Sequence, residues 1–91
     1  MRVKAEVIVQ GVVQGVGYRF FVLNQARLYD VKGYVRNMPD GTVEVVAEGE
    51  KGIIKDFIDH LRIGPVSAHV TGVKVKWSEK EQGFTEFRLQ H

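Results

Sequence analysis

Cysteine is absent from this 91-residue chain, so neither a disulfide framework nor a thiolate metal site is open to it, and the fold has to hold by packing alone. Proline occurs only twice, at Pro39 and Pro65, and both fall at breaks in the hydrophobic pattern. No apolar run approaches membrane-spanning length. The opening residues Met1-Arg2-Val3-Lys4-Ala5-Glu6 alternate charged with apolar side chains, where a signal peptide would carry a continuous apolar stretch. A strong charge of one sign is missing too: 13 Lys and Arg face 11 Asp and Glu, a formal charge of +2, interspersed rather than gathered into the basic stripe of a nucleic-acid-binding surface. The expectation is one soluble domain, residues 1–91, in the cytoplasm, with no membrane and no nucleic acid among its partners.

What is present is hydrophobic periodicity of two kinds. Odd positions from Val3 to Val9 are apolar against Lys4, Glu6 and Gln10, which predicts a half-buried strand. From Tyr18 to Asp30 the period changes: Tyr18, Phe21, Val22, Ala26, Leu28 and Tyr29 share one arc of a helical wheel, with Gly33 as the stop. Tyr34 to Met38 and Thr42 to Glu48 read as the two arms of a hairpin around Pro39-Asp40-Gly41. After the break at Gly49-Glu50-Lys51-Gly52, Ile54, Phe57, Ile58 and Leu61 recur at i, i+3, i+4 and i+7, and Gly64-Pro65 closes that second helix. Val70 to Trp77 alternates again, and Thr85, Phe87 and Leu89 mark a last strand beyond a polar loop from Ser78 to Gly83. The order β-α-β-β-α-β plus a fifth strand predicts an α+β fold, a ferredoxin-like α/β sandwich whose antiparallel sheet carries two helices on one face. Trp77, Phe84 and Phe87 are expected in its core.

Between the first strand and the first helix lies Gly11-Val12-Val13-Gln14-Gly15-Val16-Gly17-Tyr18-Arg19, three glycines and an arginine. Glycine permits positive φ and close approach of backbone N–H groups to a ligand, and a guanidinium offers a fork matched to phosphate oxygens. The spacing is neither the Gly-Lys-Ser/Thr phosphate loop nor the dinucleotide fingerprint. A right-handed βαβ crossover makes the first two strands parallel, so the end of the first strand and Asn37 at the end of the second share one edge of the sheet. One strand inserted between them leaves a gap of about 10 Å, at roughly 4.8 Å per strand, across which Arg19 and Asn37 can converge on one anion.

The run Gly11 to Arg19 resembles the phosphate-loop signature of the acylphosphatases, and Gly33-Tyr34-Val35-Arg36-Asn37, followed by Gly41, Val43 and Gly49, resembles that family's second signature. The resemblance extends over essentially the whole chain, with Tyr18 standing where the family commonly carries phenylalanine. It implies hydrolysis of the carboxyl–phosphate bond of a small acyl phosphate. In that reading, the backbone of Gln14, Gly15, Val16, Gly17, Tyr18 and Arg19 binds the phosphate, and Arg19 clamps its oxygens. Asn37 then holds the attacking water. No cofactor is expected, and no metal, because a carboxylate leaving group of pKa about 4 departs without assistance. A stand-alone monomeric enzyme is the expected form.

Two rivals come from other classes. The RNA-recognition motif shares this element order, but it needs an aromatic-rich third strand, and Gly41 to Gly49 holds no aromatic residue. A phosphate sensor without turnover would keep the glycines and Arg19 but has little need of Asn37. His60, His69 and His91 are dispersed and expected to face solvent, as are Asp56 and Asp59.

Overall fold

Alternation along the first segment buries Val3, Ala5, Val7 and Val9 on one face and leaves Lys4, Glu6 and Ile8 on the other, which makes it strand β1, Arg2–Val12. A computed structural model describing every residue from Met1 to His91 continues the chain through helix α1 (Tyr18–Tyr29), β2 (Lys32–Asn37), β3 (Val43–Glu50), α2 (Lys51–Ile63), β4 (His69–Ser78) and β5 (Phe87–Gln90). The sheet order is β4-β1-β3-β2-β5. β1 pairs antiparallel with both β3 and β4, and β3 pairs antiparallel with β2, so β1 and β2 run parallel with β3 between them, as the crossover argument requires. The fifth strand joins β2 in parallel, Gly33 opposite Phe87, which makes the sheet mixed at that edge.

Both helices lie on the face that carries the odd residues of β1. Val22 and Ala26 of α1, and Ile54, Phe57, Ile58 and Leu61 of α2, close one apolar core with Val7, Val35, Val43 and Val45. Phe57, fully buried, is edge-on to Tyr29 and Phe87. A buried ring of this kind contributes about 1.5–3 kcal/mol through burial alone.

Several expectations need correction. Leu28 is 77% exposed, because it lies some 100° around the helix from Tyr29, on the flank of the arc rather than within it. Trp77 is 37% exposed: it sits on the edge strand β4, where α2 covers the sheet only in part, with the Lys51 ammonium 5.6 Å from its ring. Phe84 packs edge-on against Tyr34 on the sheet face away from the helices, not in the main core. Phe87 does pack against that core, half-buried. Nor does Gly33 stop α1. The helix ends at Asp30, which adopts the left-handed conformation at φ 54° and returns its N–H to the last turn, a geometry aspartate tolerates. Gly33 stands inside β2 instead, at φ 148°, where a Cβ would lie 1.8 Å from the carbonyl oxygen of Val46.

Candidate active site

β1 runs two residues past Gln10, across a register shift against β4, before it releases the chain. Gly11 serves that passage. A Cβ there would meet the carbonyl oxygen of His69 at 2.0 Å, so this glycine lets two strands approach rather than wrapping an anion. The turn itself belongs to Gly15 and Gly17, at φ 73° and 77°, with nothing within 4 Å of where a side chain would begin. Left-handed backbone, not crowding, is what calls for glycine at both positions.

Gly17 caps α1 without a side-chain hydrogen bond, and the first turn holds no acidic residue. The first main-chain N–H to find an acceptor is that of Phe21, donating to Gly17 O at 3.1 Å, so the N–H groups from Gln14 to Phe20 have no partner within the protein. Unpaired amides at the positive end of a helix favour negative charge beside them.

A cleft of about 220 Å³ opens on this turn, lined by Val13, Gly15, Gly17, Tyr18, Arg19, Phe20 and Asn37. Arg19 and Asn37, predicted to converge, are therefore walls of one cleft, and no carboxylate lines it. Arg19 is half-buried; its Nη1 donates to the main-chain carbonyl of Gln90 at 3.1 Å, and none of the chain's ion pairs involves it. Asn37 closes β2 opposite Val43, and its Oδ1 is buried without any hydrogen-bond partner. An orphaned acceptor of this kind is costly in a folded protein and marks a place where a ligand group or a water fits.

The side chains of Gln14 and Val16 turn away from the cleft. The Gln14 side chain instead donates to the carbonyls of Met38 and Thr42, both at 2.8 Å, while Val16 packs against the core and its carbonyl accepts from Ser67 Oγ at 2.8 Å. Tyr18 lines the cleft although its side chain is buried: its hydroxyl donates to Leu61 O at 2.7 Å, and burial pushes the phenol pKa well above its usual value. Sequence reasoning missed Phe20 as a wall residue. The available signal was an apolar side chain beside Arg19 but outside the core-facing arc. It also missed the carbonyl of Gln90, which only the pairing of β5 beside β2 brings to Arg19.

Larger clefts lie elsewhere, one of about 300 Å³ beside Tyr34 and Arg88 and one of about 320 Å³ between α2 and Trp77. Neither offers an unpaired cation beside unpaired amides: Arg88 is already tied to Glu86 at 2.5 Å. No three His, Asp or Glu side chains gather into a group that could hold a metal ion, and no helix is long and apolar enough to cross a membrane.

A family model described as Acylphosphatase matches residues 5–89. The chain belongs to the acylphosphatase family. An acylphosphatase of Chlorobaculum tepidum is 46% identical over 86 residues, 94% of each chain, and one of Moorella thermoacetica is 47% identical over 88 residues, 97% of this chain and 94% of that one. The crystal structure of an acylphosphatase from Bacillus subtilis superimposes with a TM-score of 0.96 at 34% identity, covering 98% of this chain and 99% of the other. Membership makes the protein a hydrolase of the acylphosphatase class, on the ferredoxin-like α+β fold that the element order implied.

Proposed function

We propose that the cleft binds the phosphoryl group of a small acyl phosphate and hydrolyses the bond between that group and the acyl oxygen. In this reading the unpaired N–H groups from Gln14 to Arg19 cradle the phosphoryl oxygens, and the Arg19 guanidinium clamps two of them, stabilising charge as the group transfers. Asn37 receives the water. Its Oδ1 accepts a hydrogen bond from the water and so holds the water oxygen in line behind phosphorus, which makes its contribution one of position.

The bond changes balance without a further reactant. The water oxygen bonds to phosphorus, the bond from phosphorus to the acyl oxygen breaks, and the carboxylate leaves with the electron pair. The water proton passes to a phosphoryl oxygen. A carboxylate whose conjugate acid has a pKa of about 4 needs neither a general acid nor a metal to depart near neutral pH, which accords with a cleft wall free of carboxylates and histidines.

The observation that carries this reading is the meeting of unpaired amides, an ion-pair-free arginine and an orphaned amide oxygen in one cleft. Phosphate release from benzoyl phosphate in the presence of a chelator tests it, with Arg19→Ala and Asn37→Ala alongside. Wild type is expected to turn over. Arg19→Ala should lose on the order of 10²–10³-fold in kcat/KM, the scale of deleting one transition-state donor. Asn37→Ala should lose kcat on a similar scale while inhibition by inorganic phosphate stays near the wild-type level. Full activity in either variant, or phosphate binding by wild type without turnover, would overturn the assignment, the latter in favour of a sensor.

A further inference from the structure

Phosphoryl chemistry gives work to Arg19, the left-handed glycines and Asn37, but none to Phe20. Its ring is 63% exposed and takes no part in the apolar core, whose side of α1 is filled by Tyr18, Phe21 and Val22. None of the aromatic pairs in the protein includes it. A single exposed apolar residue is ordinarily without consequence, and Leu28, Ile63 and Val66 are more exposed still. Place is what separates Phe20 from these: it alone among them lines the cleft, next in sequence to Arg19 in the first turn of α1.

The cleft is small. At about 220 Å³ it falls below the roughly 300–1,000 Å³ of pockets that enclose a whole drug-sized ligand. A phosphoryl group held by Arg19 and the loop amides leaves little room for the acyl group, which is joined to phosphorus through one oxygen and has to emerge along the wall. On that wall the exposed large apolar surface is the Phe20 ring.

We propose that Phe20 is a specificity-determining residue, its ring forming an apolar platform on which the acyl group packs, so that the site favours acyl phosphates with aromatic acyl groups over acetyl phosphate. This inference rests on the phosphoryl-site reading given above. The contact lies away from phosphorus and is present both before and during phosphoryl transfer, so it acts mainly on KM. An offset-stacked aromatic pair is worth about 2- to 12-fold in binding beyond the area it covers, whereas an acetyl methyl has almost nothing to stack.

The experiment compares kcat/KM for benzoyl phosphate with that for acetyl phosphate in wild type, Phe20→Ala, Phe20→Leu and Phe20→Trp, and measures inhibition by inorganic phosphate in each. The benzoyl-to-acetyl ratio should fall about fivefold in Phe20→Ala, chiefly through KM for benzoyl phosphate. Phe20→Leu should fall between, and Phe20→Trp should hold or raise the ratio. Inorganic phosphate has no acyl group, so its inhibition constant should change by less than about twofold. A ratio unchanged in Phe20→Ala overturns the proposal, as does phosphate inhibition weakened as much as benzoyl phosphate binding, because the ring would then be supporting the cradle. Arg19→Ala in the same assay separates the two levels: full turnover there removes the phosphoryl site itself, while an essential Arg19 with an unmoved ratio removes only the role of Phe20.

Discussion

The side-chain amide of Gln14 donates to the main-chain carbonyl of Thr42 at 2.8 Å, and to that of Met38 at the same distance, tying the loop that precedes α1 to the hairpin that carries Asn37. The two walls of the cleft are thereby joined outside the cleft. Gln14→Ala should remove this second donor from two carbonyls that each keep a main-chain partner, Gly41 N–H for Met38 O and Met38 N–H for Thr42 O, and cost about 0.5–1.5 kcal/mol. In a domain of this size that lowers Tm by roughly 4–8 °C for each kcal/mol, read by thermal melting. Gln14→Glu, nearly the same shape but with no donor when ionised, should do no better than alanine at neutral pH.

Gly15 and Gly33 both adopt positive φ, at 73° and 148°, yet alanine should affect them very differently. A methyl group at Gly15 meets nothing within 4 Å, so Gly15→Ala should fold at a cost of about 1–2 kcal/mol for left-handed backbone and should weaken inhibition by inorganic phosphate. At Gly33 the methyl would stand 1.8 Å from Val46 O, in the middle of the β2–β3 pairing. Gly33→Ala should cost about 3 kcal/mol or more. Circular dichroism and urea titration of the two variants separate strain from collision.

The burial of Tyr18 should make stability fall in alkali. Burial raises its phenol pKa in the folded protein above the unfolded value near 10, so the folded state keeps a proton that the unfolded chain releases. The stability this contributes is fully present below pH 10 and is lost as the pH rises beyond it. Tyr34 is shifted the same way, first by burial and then by its hydrogen bond to Glu44. Tyr18→Phe, which forfeits the 2.7 Å bond to Leu61 O, should be about 0.5–1.5 kcal/mol less stable at pH 7. Its stability should nevertheless decline less steeply between pH 9 and 11, Tyr34 supplying the remaining slope. Urea midpoints across that range read both effects.

Glu48, only 2% exposed, faces away from the helices and accepts the main-chain N–H groups of Gln82, Gly83 and Phe84. This carboxylate fastens the segment between β4 and β5 over the otherwise open side of the sheet. Glu48→Ala should cost about 1–3 kcal/mol and should speed amide hydrogen exchange at residues 82–84, while Glu48→Gln falls between. Exchange measured by NMR distinguishes this local release from general destabilisation.

How much of this was legible in the chain varied with the range of the interaction. The i, i+3, i+4, i+7 spacing of Ile54, Phe57, Ile58 and Leu61 names a helix face, and all four are buried. Odd-position alternation in β1 did the same for a strand, and Pro39-Asp40-Gly41 marked the turn in which Asp40 Oδ1 accepts the Thr42 N–H at 3.0 Å. Arg19 and Asn37 were legible as partners because a parallel crossover with one strand inserted brings the start of α1 and the end of β2 to one edge of the sheet. Gly33 was misread because its constraint lies on another strand, at Val46. The position of Trp77 depended on how far helix cover extends at the sheet edge, which no local pattern records.

By itself, then, the sequence determined whatever follows from period, chirality and turn chemistry: element order, the buried faces, parallel β1 and β2, and a glycine-rich loop entering a helix beside Arg19. Tertiary structure decided which groups remain unpaired. That the Gln14 to Phe20 amides lack acceptors, that Asn37 Oδ1 is orphaned, and that Phe20 stands on the cleft wall depend on what every neighbouring element does with its own donors and surface. Pairing is a property of the assembled fold, because a hydrogen bond or a buried contact exists only once both partners have been brought within a few ångströms.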